Sequence, residues 1–361
     1  MVVSSPNHSC KDPVMNDTTP LLPVHVISGF LGSGKTTLLK SVLASEDFGD
    51  SAVLINEFGE VGLDNRLLGS IAEDAVLLSN GCVCCTIRGE LSDALRRLLS
   101  QRQEGLIPAF KRIVLETTGL ADPGPIASTI TADPVLRHHL RPGTNVTLVD
   151  ALNASTSREQ FPVWEAQVAV ADTLVISKTD LINESELSDV QNLLDTINPA
   201  ARRLGAEALG QPSDLLFASS PHLQSFTPSE AKSWLGPWRR VTTANSHDHL
   251  NEVSSFRLNF EGEIDWTCLG IWLSMLLNRH GSNILRVKGV LHVMGDNRPV
   301  ILHGVQHTIH PPEHVEHWPE DDRCSELIFI TRGINADRVT DSLNAFMRQV
   351  SDHPSPRILH A

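Results

Sequence analysis

The stretch from Gly29 to Thr36 constrains this chain more than any other part of its sequence. It reads Gly-Phe-Leu-Gly-Ser-Gly-Lys-Thr and satisfies the pattern G-x-x-x-x-G-K-[ST] in full. An apolar, strand-like run precedes it and a helical pattern follows it, which is the context in which this pattern binds phosphate. Glycine-rich backbone at the start of a helix points N–H groups at phosphate oxygens. The sequence therefore predicts a strand, a phosphate-binding loop and a helix in succession.

Two side chains of this loop have predicted chemical roles. Lys35 is expected to reach the β- and γ-phosphates, and the Thr36 hydroxyl to bind Mg²⁺, so both are predicted catalytic residues. A glycine-rich turn that binds no ligand would not require Lys and Thr after its last glycine. The predicted nucleotide-binding residues of the loop are Gly29, Gly32, Ser33, Gly34, Lys35, Thr36 and Thr37.

A phosphate loop of this kind needs a second contact to Mg²⁺ from the end of another strand. The run Ile113-Val-Leu-Glu116 supplies an acidic residue after three apolar ones. Glu replaces the more common Asp, so its longer side chain is expected to reach the metal directly or through a water. Glu116 is thus the third predicted catalytic residue and a predicted Mg²⁺ ligand. The amide of Gly119, three residues later, is predicted to sense the γ-phosphate.

The segment Ser177-Lys178-Thr179-Asp180 follows another apolar run and is the predicted base-recognition element. The Asp180 carboxylate can accept hydrogen bonds from the N1 and N2 donors of guanine, which adenine lacks on that edge. GTP is therefore predicted over ATP. The usual pattern N-K-x-D begins with Asn, and Ser177 is shorter, so it is expected to hold the loop less firmly. The alternative is a plain helix cap after a strand.

Three of the six cysteines lie within four positions, at Cys82, Cys84 and Cys85. They follow the strand-like run 76–79 and precede a helical pattern, which predicts a loop at the ligand-binding edge of a sheet. Thiolates are soft ligands that favour Zn²⁺ or Cu⁺ over Mg²⁺. Binding by all three requires a turn after Cys84. Buried structural cysteines and a redox switch are the alternatives.

Short β-branched or aliphatic runs alternate with helical patterns through the first 219 residues. Such alternation predicts an α/β domain, a parallel sheet with flanking helices. Strand-like runs beyond residue 252 are instead segregated from two helical patterns, which predicts a smaller α+β domain. The predicted divisions are a disordered tail at 1–21, a nucleotide domain at 22–219, a linker at 220–251, a second domain at 252–351 and a tail at 352–361.

Histidines are concentrated in the second domain, with six between His292 and His317. His303 and His307 would lie on the same side of a strand by alternation. Surface or hydrogen-bonding histidines are the favoured interpretation over a metal site, because Cys, Asp and regular spacing are missing.

The formal net charge of −14 is the wrong sign for a chain that lives mainly on nucleic acid or anionic lipid. No run approaches the roughly eighteen consecutive apolar residues of a membrane helix, and the first twenty residues lack a signal-peptide pattern. We therefore expect no nucleic-acid partner, no membrane association and a cytoplasmic location with reduced thiols.

Five segments together resemble the CobW-type P-loop GTPases, in the order and context of that family. They are 29–36, 56–60, 81–86, 116–123 and 177–180. The family's second domain is resembled by two further segments, 285–289 and 304–307. The resemblance implies a P-loop NTPase sheet followed by a CobW C-terminal domain. It further implies that Cys82, Cys84 and Cys85 form a metal site and that Glu57 lies in a switch loop near Mg²⁺ or the transferred metal.

The resemblance implies a GTP-hydrolysing metallochaperone that loads zinc into an apo client metalloprotein, and it leaves room for a homodimer. A thiolate site also binds Co²⁺, so a cobalt-handling GTPase is an alternative. A metal-sensing or storage protein with a structural nucleotide is another. Since no residue is an obvious water-orienting glutamine, intrinsic hydrolysis of GTP is expected to be slow.

Overall fold

The first part of the chain forms the parallel sheet that the alternating patterns predict. The computed structural model describes residues 20–45, 50–56, 76–80, 87–205, 217, 253–315, 318, 323–351 and 356–360. The sheet has seven strands in the order β3-β2-β4-β1-β5-β6-β7, and every neighbouring pair is parallel. The strands are β1 (Leu22–Gly29), β2 (Ser51–Asn56), β3 (Val76–Asn80), β4 (Arg112–Glu116), β5 (Leu140–Asp150), β6 (Thr173–Ser177) and β7 (Arg202–Leu204).

Helices cover both faces of this sheet. They are α1 (Lys35–Leu43), α2 (Ile87–Gln103), α3 (Gly124–Ala132), α4 (Leu136–His139), α5 (Ala154–Gln160), α6 (Pro162–Val170) and α7 (Glu184–Ile197). Successive residues of β1 alternate between two cores: Ile27 packs with Leu38 of α1, and Val26 packs with Leu95 of α2. Burial on both faces explains why the strands are continuous apolar runs. The predicted α/β class is confirmed.

The second domain is built on an antiparallel sheet. Its strands are β8 (Val253–Glu261), β9 (Ile284–Leu291), β10 (Val300–Val305), β11 (Thr308–Ile309), β12 (Glu313–His314), β13 (Ser325–Arg332) and β14 (Arg357–His360). The order is β11-β10-β9-β13-β8-β14, with β12 also on β10. Helices α8 (Trp266–His280) and α9 (Ala336–Val350) pack on it around Trp272, Phe329 and Leu343. This is the predicted α+β arrangement.

The end of the chain differs from the sequence prediction. Residues 352–361 were expected to form a tail, but Arg357–His360 pairs with residues 258–261 of β8 as an antiparallel edge strand. The alternation in so short a run is too weak to distinguish a strand from a tail, and the edge of β8 decides the outcome by offering hydrogen-bond partners. Residues 1–19 of the predicted tail at 1–21 and the whole predicted linker at 220–251 lie outside the described residues. No helix of the described part is long and apolar enough to cross a membrane.

A buried charged cluster joins the two domains. Arg286 of β9 donates hydrogen bonds to the Val170 carbonyl at the end of α6 and to the Asp172 carboxylate. The Nζ of Lys288 lies 3.8 Å from the same carboxylate and donates to the Ala200 carbonyl at 3.2 Å. Burial lowers the pKa of Lys288 to about 7. These buried charged groups have lost their contacts with water and must be satisfied by one another. Their hydrogen bonds therefore fix the position of β9 against the end of α6.

A buried histidine at the same junction predicts acid sensitivity. His310 is 3% exposed, and neither ring nitrogen has a hydrogen-bond partner among the described residues. Its ring stacks on His303 with centroids 3.9 Å apart, near Asp172 and Arg286. Burial lowers the pKa of His310 from 6.5 to about 4. The negative charge of Asp172 opposes this shift, and the positive charge of Arg286 adds to it. The folded state therefore binds fewer protons than the unfolded state between these pH values.

We accordingly expect the free energy of unfolding to fall by about 3 kcal/mol between pH 6.5 and 4 through His310. His310→Leu should lose this part of the acid dependence, because leucine cannot take up the proton. Denaturant unfolding at several pH values measures the difference, with His138→Leu at an exposed position as the matched control. Parallel pH profiles for the wild type and His310→Leu would contradict the prediction.

Candidate nucleotide and metal site

The loop between β1 and α1 has the backbone that a phosphate cradle needs. Gly29, Gly32 and Gly34 have φ values of 137°, 71° and 100°. A Cβ on Gly29 would lie 2.4 Å from the Leu148 carbonyl oxygen of β5, so no other residue fits there. The loop opens directly into α1, whose N-terminal N–H groups have no helical partner. This arrangement suits an anionic group such as a phosphate.

Lys35 is folded back over this loop. Its side chain is largely buried, and its Nζ donates a hydrogen bond to the Phe30 carbonyl oxygen at 3.1 Å. Ser33, also buried, closes the turn by donating its backbone N–H to the same carbonyl at 3.2 Å. The ammonium group is therefore held above the backbone that would surround a phosphate. Thr37, in the first turn of α1, is exposed.

The structure brings Thr36 and Glu116 together, although they are 80 positions apart. The Thr36 hydroxyl donates to Glu116 Oε1 at 2.8 Å. Strand β4 lies beside β1 with Glu116 opposite Ile27, so the carboxylate emerges next to the phosphate loop. Hydroxyl and carboxylate oxygens are hard ligands of the kind that Mg²⁺ binds together with phosphate oxygens. The pair fits the predicted metal site.

Ser177 ties the predicted base-recognition segment to the phosphate loop. Its hydroxyl lies 2.9 Å from the Ser33 carbonyl and 3.2 Å from the Val149 carbonyl, so it donates to both. Lys178 has a left-handed backbone, with φ of 58°, and its Nζ contacts Asp150 Oδ2 at 2.6 Å. Asp180 follows in a short 3₁₀ turn and is exposed. The turn thus exposes the Asp180 carboxylate three residues after Ser177, which contacts the phosphate loop.

The segment that follows Glu116 packs tightly against the phosphate loop. A Cβ on Gly119 would lie 2.6 Å from the backbone nitrogen of Leu31, so this approach requires glycine. Gln167 of α6 is 1% exposed and donates its Nε2 to the Gly119 carbonyl at 3.1 Å and the Ala121 carbonyl at 3.0 Å. Gln167 and Asp150 are not among the site residues predicted from the sequence. The one signal for Gln167 is its polar amide among the apolar residues of α6.

The predicted zinc ligands Cys82, Cys84 and Cys85, and Glu57, lie outside the described residues. Strand β3, which ends at Asn80 just before the cysteines, pairs with β2, and β2 pairs with β4. The register places Ser79 and Glu116 opposite the same residue of β2, Ile55. With neighbouring strands about 4.8 Å apart, the end of β3 lies roughly 10 Å from the Glu116 backbone.

The described histidines of the second domain do not form one cluster. His303 stacks on His310, whereas His307 lies beyond the end of β10 with its Nδ1 3.1 Å from the Leu277 carbonyl at the end of α8. The predicted shared side is wrong, because the strand ends at Val305 and alternation stops there. Across the described ranges, no three His, Cys, Asp or Glu side chains are arranged to hold a metal ion.

Comparison with known proteins is consistent across the chain. The family model described as CobW/HypB/UreG, nucleotide-binding domain, matches residues 23–204, and that of the cobalamin synthesis protein cobW C-terminal domain matches 253–347. The zinc chaperone YjiA of Escherichia coli (strain K12) is 33% identical over 310 residues, which are 86% of this chain and 93% of that protein.

A further relative and a solved structure agree with that match. The zinc-regulated GTPase metalloprotein activator 1 of Schizosaccharomyces pombe is 37% identical over 194 residues, which are 52% of this chain and 46% of that protein. The crystal structure of Zn(II)-bound YjiA GTPase from E. coli superposes with a TM-score of 0.68 and 27% identity over 91% of this chain and 99% of that one. The chain therefore belongs to the CobW/HypB/UreG family, with a CobW C-terminal domain after its nucleotide-binding domain.

Proposed function

We propose that this protein is a GTP-hydrolysing metallochaperone that binds zinc at the Cys82–Cys85 loop and transfers it to an apo client metalloprotein. The observation that carries the proposal is the Thr36–Glu116 contact of 2.8 Å beside a complete phosphate loop. Relatives that cover most of the chain support zinc as the cargo, because they are named zinc chaperones. GTP is the predicted nucleotide because Asp180 ends a segment that Ser177 ties to the loop.

The proposed hydrolysis relies on positioned charge. Lys35 stabilises negative charge on the β- and γ-phosphates, and the loop amides hold the oxygens. Thr36 and Glu116 would hold Mg²⁺, which when bound neutralises phosphate charge. Gly119 lies against the phosphate loop, so its segment is placed to respond to the γ-phosphate. The Thr36–Glu116 hydrogen bond holds these two oxygens together.

Zinc and GTP are proposed to be coupled through the carboxyl edge of the sheet. The cysteine loop begins where β3 ends, two strands from β4, and Glu116 ends β4. A switch that changes with the γ-phosphate can alter the geometry of thiolates anchored at this edge. Hydrolysis would then make zinc release directional. The proposed client is a metalloprotein that lacks its zinc.

The proposal is tested by measuring GTP turnover with and without stoichiometric Zn²⁺. A metallochaperone of this kind should hydrolyse GTP slowly, with a rate that changes when zinc is bound. A sensor or storage protein with a structural nucleotide should bind GTP without turnover. Repeating the assay with Co²⁺ separates a cobalt-handling GTPase from a zinc-handling one. An inert nucleotide at every metal concentration would exclude the proposed function.

The cysteine loop makes a sharper prediction about coupling. Zinc affinity should differ between GDP and a non-hydrolysable GTP analogue by about 5- to 150-fold, and zinc should change the preference for GTP by the same factor. Cys84→Ser should weaken zinc binding by more than about 10-fold and remove this difference while GTP still binds, because a hydroxyl is a poor ligand at neutral pH. Competition with a chromogenic zinc chelator measures both quantities.

Cys324→Ser is the matched control for that experiment. Cys324 is an exposed cysteine of the second domain, outside the predicted metal loop. Its replacement should leave both zinc affinity and coupling unchanged. If the two variants behave alike, the proposed zinc site is misplaced. If the wild type binds zinc equally in both nucleotide states, zinc release is not driven by GTP hydrolysis.

A further inference from the structure

A side chain of the second domain contacts the segment that adjoins the nucleotide site. Gln306 lies in the turn between β10 and β11, and its Nε2 donates a hydrogen bond to Asp122 Oδ2 at 2.9 Å. The two residues are 184 positions apart. Asp122 belongs to the segment 117–123, which leads from Glu116 past Gly119 to helix α3. The contact therefore connects the second domain to the segment placed to respond to the γ-phosphate.

Asp122 is engaged on both of its oxygens. While Oδ2 accepts from Gln306, Oδ1 accepts the backbone N–H of Gly124 at 2.9 Å, at the start of α3. The carboxylate thus fixes the end of the segment to a helix of its own domain and to the opposite domain at once. A displacement of Asp122 away from the second domain therefore lengthens its bond to Gln306.

The backbone at Gln306 is unusual for its residue type. Its φ of 51° lies in the left-handed region, and among the described non-glycine residues only Lys178 shares this feature. That conformation is unfavourable for a residue with a Cβ and persists where the surrounding contacts require it. Here it turns the chain between β10 and β11 so that the amide faces Asp122. Strained backbone is most often found at functional sites, and here it contacts the segment 117–123 beside the phosphate loop.

Helix α6 provides a second connection that runs in parallel. Gln167 of α6 holds the Gly119 and Ala121 carbonyls, and Val170, one turn later, accepts a hydrogen bond from Arg286 of the second domain. Asp172, just beyond this helix, also pairs with Arg286. The second domain is therefore held against α6 independently of Gln306. Loss of the Gln306 bond should leave the domains docked and the Gly119 and Ala121 carbonyls on Gln167, while it releases Asp122 at the end of the segment.

We propose that Gln306 is a positioning residue for GTP hydrolysis, which anchors Asp122 and so, together with Gln167, holds the segment 117–123 beside the phosphate loop. The inference rests on the proposed GTPase function and adds to it a role for the second domain inside the nucleotide site. It assigns no chemical step to Gln306, whose amide acts only through the Asp122 carboxylate. Because binding effects between two sites are reciprocal, any ligand or partner that displaces the β10–β11 turn should change the relative affinity for GTP and GDP.

The test compares three variants of the full-length chain. Gln306→Leu removes the hydrogen-bond donor and keeps a side chain of similar size. Gln306→Asn keeps an amide group but shortens the side chain by one methylene. The control, His307→Ala, changes the other residue of the same turn, which faces α8. Gln306→Leu and Gln306→Asn should lower kcat for GTP about 10-fold with KM within about 2-fold of the wild type, because the segment is misplaced rather than the phosphate loop. His307→Ala should retain the wild-type kcat.

A double-mutant cycle shows whether Gln306 acts through Asp122. Asp122→Ala should lower kcat at least as much as Gln306→Leu, and adding Gln306→Leu to it should cost less than about 2-fold more. Asp122→Asn should retain most activity, because the Gln306 amide can reverse and accept from the new amide group. Thermal unfolding of each variant shows whether it is folded. If Gln306→Leu is unfolded, Gln306→Asn replaces it, and if Asp122→Ala is unfolded, Asp122→Ser replaces it, because a serine is too short to reach Gln306.

A binding measurement keeps this inference separate from the proposed function. With fluorescent GDP and a non-hydrolysable GTP analogue, Gln306→Leu should change the affinity ratio of the two nucleotides by about 5-fold or more. This readout needs no hydrolysis, so a wild type without turnover would defeat the GTPase proposal alone. An unchanged affinity ratio, or additive effects in the double-mutant cycle, would overturn the role of Gln306.

Discussion

Replacing Lys35 with alanine is expected to reduce GTP turnover by about 10²- to 10³-fold or more, while the fold is retained. The Lys35 ammonium is the one charged side chain contributed by the phosphate loop, and it is held over the loop by its 3.1 Å bond to the Phe30 carbonyl. Its loss removes positive charge from the place where negative charge develops on the β- and γ-phosphates. The loop glycines and α1 do not depend on it for their conformation.

The measurement is phosphate release at saturating GTP, with thermal unfolding as the check on folding. Lys40→Ala is the matched control, since Lys40 lies in the last turn of the same helix and away from the phosphate loop. It should retain turnover within about 2-fold, because a cation near a helix C-terminus affects stability by only about 0.3–1 kcal/mol. Wild-type turnover by the Lys35 variant would contradict the assignment of the phosphate site.

The second large effect is expected for Asp180→Asn. The variant should bind GTP about 10²-fold more weakly and gain relative affinity for xanthosine triphosphate. Hydrogen bonds to a charged group contribute about 1.5–3 kcal/mol each, and guanine offers Asp180 two donors. Xanthine has a carbonyl at C2, which accepts a hydrogen bond from the new amide. The position of Asp180 is supported by Ser177, which bonds to the phosphate loop, and by the Lys178 contact to Asp150.

Competition binding with GTP, ATP and xanthosine triphosphate gives the three affinities. Asp189→Asn, an identical change at an exposed position of α7, should alter none of them. An Asp180 variant with the wild-type ranking would place base recognition elsewhere in the chain. Equal loss of all three nucleotides would instead indicate that Asp180 supports the loop and does not read the base.

Much of the nucleotide domain is predictable because its signals are local. The runs ending at Gly29, Glu116 and Ser177 are mostly apolar, as is typical of strands buried on both faces, and each becomes a strand of the parallel sheet. Helix α7 spans Glu184–Ile197, and its capping box between Asn183 and Glu186 explains where it begins. Such features depend on residues that are neighbours along the chain.

Some contacts could not be predicted, because they join residues far apart in the sequence. Gln167 is one amide in an apolar helix, and nothing nearby in the sequence indicates that it binds the Gly119 and Ala121 carbonyls. His303 and His307 seemed equivalent by alternation, but the strand ends between them and a left-handed Gln306 reverses the chain. Only the packing of β10 against the first domain shows that His303 is half-buried while His307 is exposed.

The sequence by itself determined the phosphate loop, since the spacing of its glycines, Lys35 and Thr36 is set by a few adjoining backbone torsions. It also determined the class of both domains through the periodicity of apolar residues. Only the tertiary structure decided that β4 lies beside β1, which brings Glu116 to Thr36, and that Gln306 lies against Asp122. Those contacts depend on which strand and domain surfaces bury the most apolar area together, a property of the whole chain that no local pattern contains.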